Sequence, residues 1–149
     1  MAVQVVRFLA LLFTALTLAP ALAHLLELPN KIGLSRDAYL TVQQVYRGWA
    51  LLGIVVAGAL LSTLTLAVMV HRRPKPFVLT LIAFLCLVGT HVVFWTFTFP
   101  ANQATENWTM LPANWQQLRA QWEYSHAAGA VLNLIALGAL ILSVLVPDE

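Results

Sequence analysis

Apolar residues dominate four stretches of the chain, Val5–Leu28, Trp49–Val70, Phe77–Phe99 and Ala127–Val146, and polar residues crowd between them. Each stretch approaches or exceeds the roughly 20 residues that a helix needs to cross a hydrocarbon core. A backbone in lipid must satisfy its own hydrogen bonds, so all four are expected to be helices. The pattern therefore predicts an all-α fold, a polytopic membrane four-helix bundle forming one domain over residues 1–149. Arg7, the apolar run after it and Ala21-Leu22-Ala23 together look like a secretory signal with a cleavage site. The run from Val3 to Leu28 is nevertheless long enough to span, and the segment is read as a retained first helix.

The polar connections differ in kind. His71-Arg72-Arg73-Pro74-Lys75-Pro76 is a tight basic turn, whereas the loops over 29–48 and 100–126 are long. By the positive-inside rule this turn and Arg7 place both termini in the cytoplasm and the long loops on the opposite face. The expected location is a bacterial cell (inner) membrane. Within the long loops, Ser35 suits an N-cap, and Tyr39, Val42, Tyr46, Trp49 and Gly53 follow at helical steps, so the second helix is predicted to begin near Arg36. Pro112 suits a first turn, and Trp115, Arg119, Trp122, His126, Gly129 and Asn133 share one face of a helix running to Val146. Such a helix is about 50 Å long, well beyond a core of about 30 Å. Helices two and four are thus expected to extend into an extracytoplasmic cap.

Composition narrows the partners. With 60% hydrophobic residues, 9% charged residues, a mean hydropathy of +0.82 and a net charge of +2, the chain has too few charges to solvate a globule and no basic surface for nucleic acid. Lipid is the expected surrounding partner. Cys86 has no partner in the chain, so there is no intramolecular disulfide framework. Helix contacts in lipid rest on small residues, for which Gly53, Ala57, Gly58, Ser62 and the Ala127–Ala130 cluster are candidates.

Ionisable residues inside a span are costly and mark function or a paired network. With antiparallel helices, His24 and Glu27 on helix one meet His126 and Glu123 on helix four, each pair at i,i+3. His91 lies eight residues below Phe99, about 12 Å deep, level with Asn133. Three chemistries fit this set. Histidine and carboxylate can hold a mononuclear transition metal, with His24, Glu27, His126 and Glu123 as candidates. Two of His24, His91 and His126 can serve as axial ligands of haem. A buried histidine can also act as a general base with no cofactor. The cofactor is left open among these.

Every tryptophan and tyrosine lies at or beyond one end of the bundle, which a two-sided aromatic belt does not explain. Trp49, Trp95, Trp115 and Trp122, with Asn133, are expected to line a pocket for an apolar or aromatic small molecule. Arg119 is expected to pair with Glu123 at i,i+4, with stacking on a tryptophan or binding of a substrate anion as alternatives.

Four segments carry a family resemblance: His24-Leu25-Leu26-Glu27-Leu28-Pro29-Asn30-Lys31, Val42-Gln43-Gln44-Val45-Tyr46-Arg47-Gly48-Trp49, Phe99-Pro100-Ala101-Asn102, and Trp115 through His126. In these the chain resembles the four-helix membrane proteins of the DUF1772, or anthrone oxygenase-like, family. The resemblance implies an oxidoreductase of oxygenase type, with His126 or His91 removing a C–H proton and Arg119 or Asn102 orienting a substrate oxygen. Against it stand two other expectations: a haem- or metal-binding protein that carries electrons or senses redox state, and a non-catalytic subunit of a larger membrane complex. Self-association as a homo-oligomer is a further option.

Overall fold

The first helix outruns its apolar stretch. In the computed structural model, which describes residues 1–146, α1 runs from Ala2 to Lys31 and continues through Pro20 and Pro29. A proline inside a helix removes one hydrogen bond and crowds the carbonyl four residues back, and here the helix tolerates this twice. Pro29 therefore does not end α1, and Lys31 falls in its last turn rather than in a loop.

The second predicted helix is broken. A short α2 spans Arg36–Gln43 and a 3-10 turn covers Gln44–Tyr46. Arg47 is then extended and Gly48 takes a φ of +89°, before a second 3-10 turn at Trp49–Leu51 leads into α3, Leu52–Val70. The left-handed conformation at Gly48 is open to glycine at little cost and ends any continuous helix from Arg36. This corrects the expectation that one long helix would carry residues 36–70.

The remaining spans begin after the tight basic turn. α4 covers Pro74–Val93, a π-helical segment follows at Phe94–Thr98, and α5 at Phe99–Ala104 continues the same rod. Pro100 accounts for the irregularity, because it cannot donate to the Thr96 carbonyl and its ring would clash there. A widened π turn removes the clash. The Phe97 carbonyl, in the same turn, accepts a bond from Gln121 Nε2 at 2.8 Å. Finally α6 runs unbroken over Trp115–Leu145, starting three residues after Pro112 and otherwise close to expectation.

Four segments, Ala2–Lys31, Trp49–Val70, Pro74–Ala104 and Trp115–Leu145, are long and apolar enough to cross a membrane, the architecture of an integral membrane protein. Around the bundle, α1 packs on α3 and α6, and α4 packs on α3 and α6, so the helices form a ring in which α3 and α4 are the least closely packed neighbours. Small residues make the close contacts, where lipid gives helices no hydrophobic reason to meet, but the candidates Gly53 and Ala57 are not among them and lie at the surface. Ala10, Ala59, Ala83 and Ala136 are buried among Leu66, Val70, Leu87 and Leu140. Hydroxyls add polar ties: Thr80 Oγ1 and Ser143 Oγ lie 2.8 Å apart, and Ser143 Oγ also donates to the Pro76 carbonyl at 3.2 Å.

Gly58 seats the Phe13 ring so closely that a Cβ there would fall 2.8 Å from it, whereas one at Gly138 would meet nothing within 4 Å. Gly58→Leu is accordingly expected to destabilise the bundle by about 1–3 kcal/mol through overpacking. Thermal unfolding in detergent should show a lowered midpoint for Gly58→Leu and none for Gly138→Ala. Equal midpoints for the two would show that α1 and α3 do not depend on this contact.

A second, separate apolar cluster forms at the other end of the spans, where Tyr39, Ala101, Trp108, Leu111 and Trp122 are buried together. It joins α2, α5, the 105–114 connection and the start of α6.

Candidate functional site

The two histidines predicted to meet do so. His24 on α1 and His126 on α6 face each other with ring centroids 4.2 Å apart and planes inclined by 30°. Around His24 stand Tyr46, Trp49 and Trp122 at centroid distances of 4.5, 5.6 and 5.0 Å, with Trp122 also 4.2 Å from His126. His24 is 5% exposed, and its Nδ1 is buried without a hydrogen-bond partner. An unpaired buried imidazole nitrogen carries a desolvation cost, and such an atom on a cavity wall is suited to a ligand.

That wall belongs to a cavity of about 850 Å³ lying between α1, α3, α4 and α6. His24, His91, His126, Asn102 and Asn133 are among its polar positions, with Arg47 its charged one, and Trp49, Trp95 and Trp122 are among its apolar ones. Its size falls within the range of small-molecule sites, about 300–1,000 Å³. On the α4 wall, His91 Nδ1 lies 2.8 Å from the Leu87 carbonyl, which can only accept, so Nδ1 is the donor. This fixes the tautomer that leaves Nε2 as the basic nitrogen. His91 thus bonds to its own helix rather than to its neighbour in depth, Asn133. Asn133 instead sits with its Oδ1 3.4 Å from Thr17 Oγ1.

Asn102 joins the walls. Its Oδ1 accepts from Trp108 Nε1 at 2.9 Å and Trp122 Nε1 at 2.8 Å, leaving the amide nitrogen as the donor it can offer to a ligand. Asn102→Leu leaves both indoles without an acceptor and is expected to cost about 1–3 kcal/mol for each. Tryptophan emission and thermal stability should both change in Asn102→Leu and recover in Asn102→Asp, which keeps the acceptor. Unchanged stability in Asn102→Leu would remove the residue from the framework.

Other predicted site residues lie outside the cavity. Arg119 does not pair with Glu123; it donates to the Leu34 carbonyl at 2.8 Å and stacks over Trp115 at 4.7 Å and Tyr39 at 5.4 Å. One turn of helix would let Arg119 reach Glu123, but Glu123 points inward while the guanidinium lies along the aromatic surface. Trp115 is accordingly a packing partner of Tyr39 and Arg119, not a cavity wall. The carboxylates serve a different centre, Lys31.

Lys31 is 3% exposed, and its Nζ lies 3.0 Å from Glu123 Oε1 and 3.7 Å from Glu27 Oε2. The ammonium also donates to Tyr46 Oη at 2.8 Å and lies over the rings of Tyr46 and Trp122 at 4.5 and 4.8 Å. Tyr46 Oη in turn donates to Glu27 Oε2. Tyr39 Oη donates to Glu123 Oε1 at 2.9 Å and accepts from Gln43 Nε2 at 2.5 Å. Burial first, then the neighbouring carboxylates, push both phenols above the ordinary tyrosine range, so they remain neutral donors. Sequence reasoning missed this centre. Its signals were the i,i+4 spacing of Glu27 and Lys31 and the helical steps linking Tyr39 to Tyr46.

This bonding bears on the metal reading. Glu27 and Glu123 are turned to Lys31, and among the described residues no three of His, Cys, Asp and Glu are gathered as a ligand set. The residues present do not fit the proposed four-ligand metal centre. Haem held between His24 and His126 does not fit either, since rings stacked at 4.2 Å leave no room for a macrocycle between them.

The connection over the site is strained. Glu106, Asn107 and Trp108 take φ values of +49°, +55° and +63°, a left-handed turn that costs non-glycine residues roughly 1–2 kcal/mol each. Three bonds hold it: Asn107 N–H to the Asn102 carbonyl at 2.7 Å, Trp108 N–H to Thr105 Oγ1 at 3.1 Å, and the Trp108 indole to Asn102. Gln44 Nε2 then ties the Trp108 carbonyl to the segment before α3 at 2.8 Å, roofing the cavity. Comparison of the chain with family models, with curated proteins and with solved structures gives no match.

Proposed function

We propose that the chain is a membrane-embedded oxidoreductase of oxygenase type, related to the anthrone oxygenase-like proteins, acting on a flat apolar molecule in this cavity. The observation that carries the reading is His91: an imidazole with its tautomer fixed by the Leu87 carbonyl, on the wall of an aromatic cavity that also holds the His24–His126 pair. A histidine so arranged can act as a general base. In the reaction proposed, His91 Nε2 takes a proton from an activated CH₂ group beside an aromatic carbonyl. The negative charge delocalises onto the carbonyl oxygen, where an imidazole N–H of the His24–His126 pair and the Asn102 amide stabilise it. The carbanion transfers electrons to dioxygen and forms a C–O bond. The resulting peroxide takes up a proton from His91 and loses water, so that CH₂ and O₂ become C=O and H₂O.

The roof ties the bundle ends together and, with the inferred orientation, constitutes an extracytoplasmic cap with both termini in the cytoplasm. The test is dioxygen consumption by the full chain in lipid nanodiscs, supplied with a tricyclic aromatic ketone bearing a benzylic CH₂. Stoichiometric conversion of substrate to diketone supports the reading. Binding without oxygen uptake would make the cavity a carrier or sensor site and end the oxygenase assignment.

A further inference from the structure

The cavity has two different ends. Above His24 the roof is tied together by the Gln44–Trp108 bond, by Arg36 donating to the Leu111 carbonyl at 2.8 Å, and by the buried Tyr39–Trp108–Trp122 cluster, with Arg47, Asn107 and Thr109 exposed on its outer side. Its flank between α3 and α4 is built otherwise. The short turn at His71–Arg73 pins these helices at the far end, while the first half of α3 and the last part of the α4 rod both serve as cavity wall. Gly53 and Ala57 on α3, and Phe94 and Trp95 on the π segment, are at once cavity wall and molecular surface. Trp95 is 58% exposed although it lies within a spanning segment, and it is braced by Phe99 at 4.8 Å. Phe94 and Trp95, adjacent aromatics at the start of the π segment, thus both border the opening, and such π turns are often found at functional sites.

We propose that this gap is a lateral portal, open to the bilayer interior, through which a flat, membrane-dissolved apolar molecule reaches the cavity, with Trp95 at its threshold. The proposal rests on the cavity being a ligand site and not on oxygenase chemistry. Its substrate class follows from location: the residues facing the gap, Gly53, Ala57, Phe94 and Trp95, carry no charge to admit a hydrated solute, and the charged residue on the cavity wall, Arg47, lies before α3, beside Gln44. A ligand of this kind is concentrated by the lipid before it meets the protein, and the small side chains on α3 leave room for a ring to pass edge-on past Trp95.

The experiment uses the full chain in phosphatidylcholine nanodiscs and 1-aminoanthracene, an apolar fluorescent tricycle, with association and dissociation followed by stopped flow. Trp95→Ala should accelerate both rates by about fivefold or more, and Gly53→Leu should slow both to a similar degree. Gly53→Leu is the second arm because Gly53 borders the gap and a Cβ there meets nothing within 4 Å, so bulk is added at the opening without a clash at its first atom. Gln44→Ala, which loosens the roof, should leave both rates within about twofold. Absence of probe binding to the wild-type chain, rates unmoved by the portal variants, or a response confined to Gln44→Ala would overturn the portal. The expected kinetics together with no dioxygen consumption would keep it and discard the oxygenase reading.

Discussion

Lys31→Met is expected to remove most of the folded protein, at a cost of about 3–5 kcal/mol. The reason is the company Lys31 keeps. Glu123 is 0% exposed, its Oε1 is 3.0 Å from the ammonium, and its Oε2 is buried with no hydrogen-bond partner. Without Lys31 that carboxylate keeps only the Tyr39 hydroxyl, in a region packed with Trp122 and Trp108. Methionine fills the volume but supplies no charge, so the loss isolates the electrostatic contribution. The total stability of a domain of this size is about 5–15 kcal/mol, which such a loss would largely consume. Fluorescence-detected size exclusion after heating should show a collapsed monodisperse peak. Adding Glu123→Gln to Lys31→Met should restore much of it, because a neutral amide is far cheaper to bury than an unpaired carboxylate. A single variant with wild-type stability would mean that Lys31 is not the electrostatic centre of this end of the bundle.

The second large effect concerns chemistry rather than folding. His91→Ala is expected to reduce the rate of dioxygen consumption by about 10²–10⁴-fold, the usual contribution of a positioned general base. The side chain is half-buried on a cavity wall and bonds only to the carbonyl one turn back, so its removal leaves no stranded partner in another helix. Stability should therefore be nearly unchanged, which separates this variant from Lys31→Met. His126→Ala should also lower turnover, but with weaker substrate binding, because it breaks the stacked pair proposed to hold the substrate oxygen. A His91→Ala protein that keeps turnover within about threefold would assign proton removal to another group. If His126→Ala alone abolished turnover with binding intact, the base would be His126.

How much of this was legible can be followed through single residues. The meeting of His24 with His126 follows from the sequence, since helices of opposite direction place His24 one turn below Glu27 and His126 one turn below Glu123. The place of His91 on the same cavity as Asn133 follows by the same counting of 1.5 Å per residue. Lys31 was not legible in this way. Pro29 reads as a stop, yet a proline costs a helix only one bond and some bending, and packing against α6 carries α1 two residues further. Those residues bring a lysine from an apparent loop into the centre of a charge network. Arg119 erred in the opposite sense. Its spacing from Glu123 suggests an ion pair, but i,i+4 proximity is worth only about 0.2–0.5 kcal/mol, less than a buried ammonium or an aromatic stack offers the two groups separately.

By itself, then, the sequence determined the number of spans, their helical character and the end at which the polar and aromatic residues gather. These depend on solvation, and hydropathy along the chain is a direct record of it. Only the tertiary structure decided which polar groups satisfy one another and which are left facing the cavity. Glu27 and Glu123 turn to Lys31, Asn102 to two indoles and Arg119 to a carbonyl, while His24, His91 and His126 remain on the wall. Spacing along a helix sets which residues share a face, but bonding choices among buried groups are made by distance across helices.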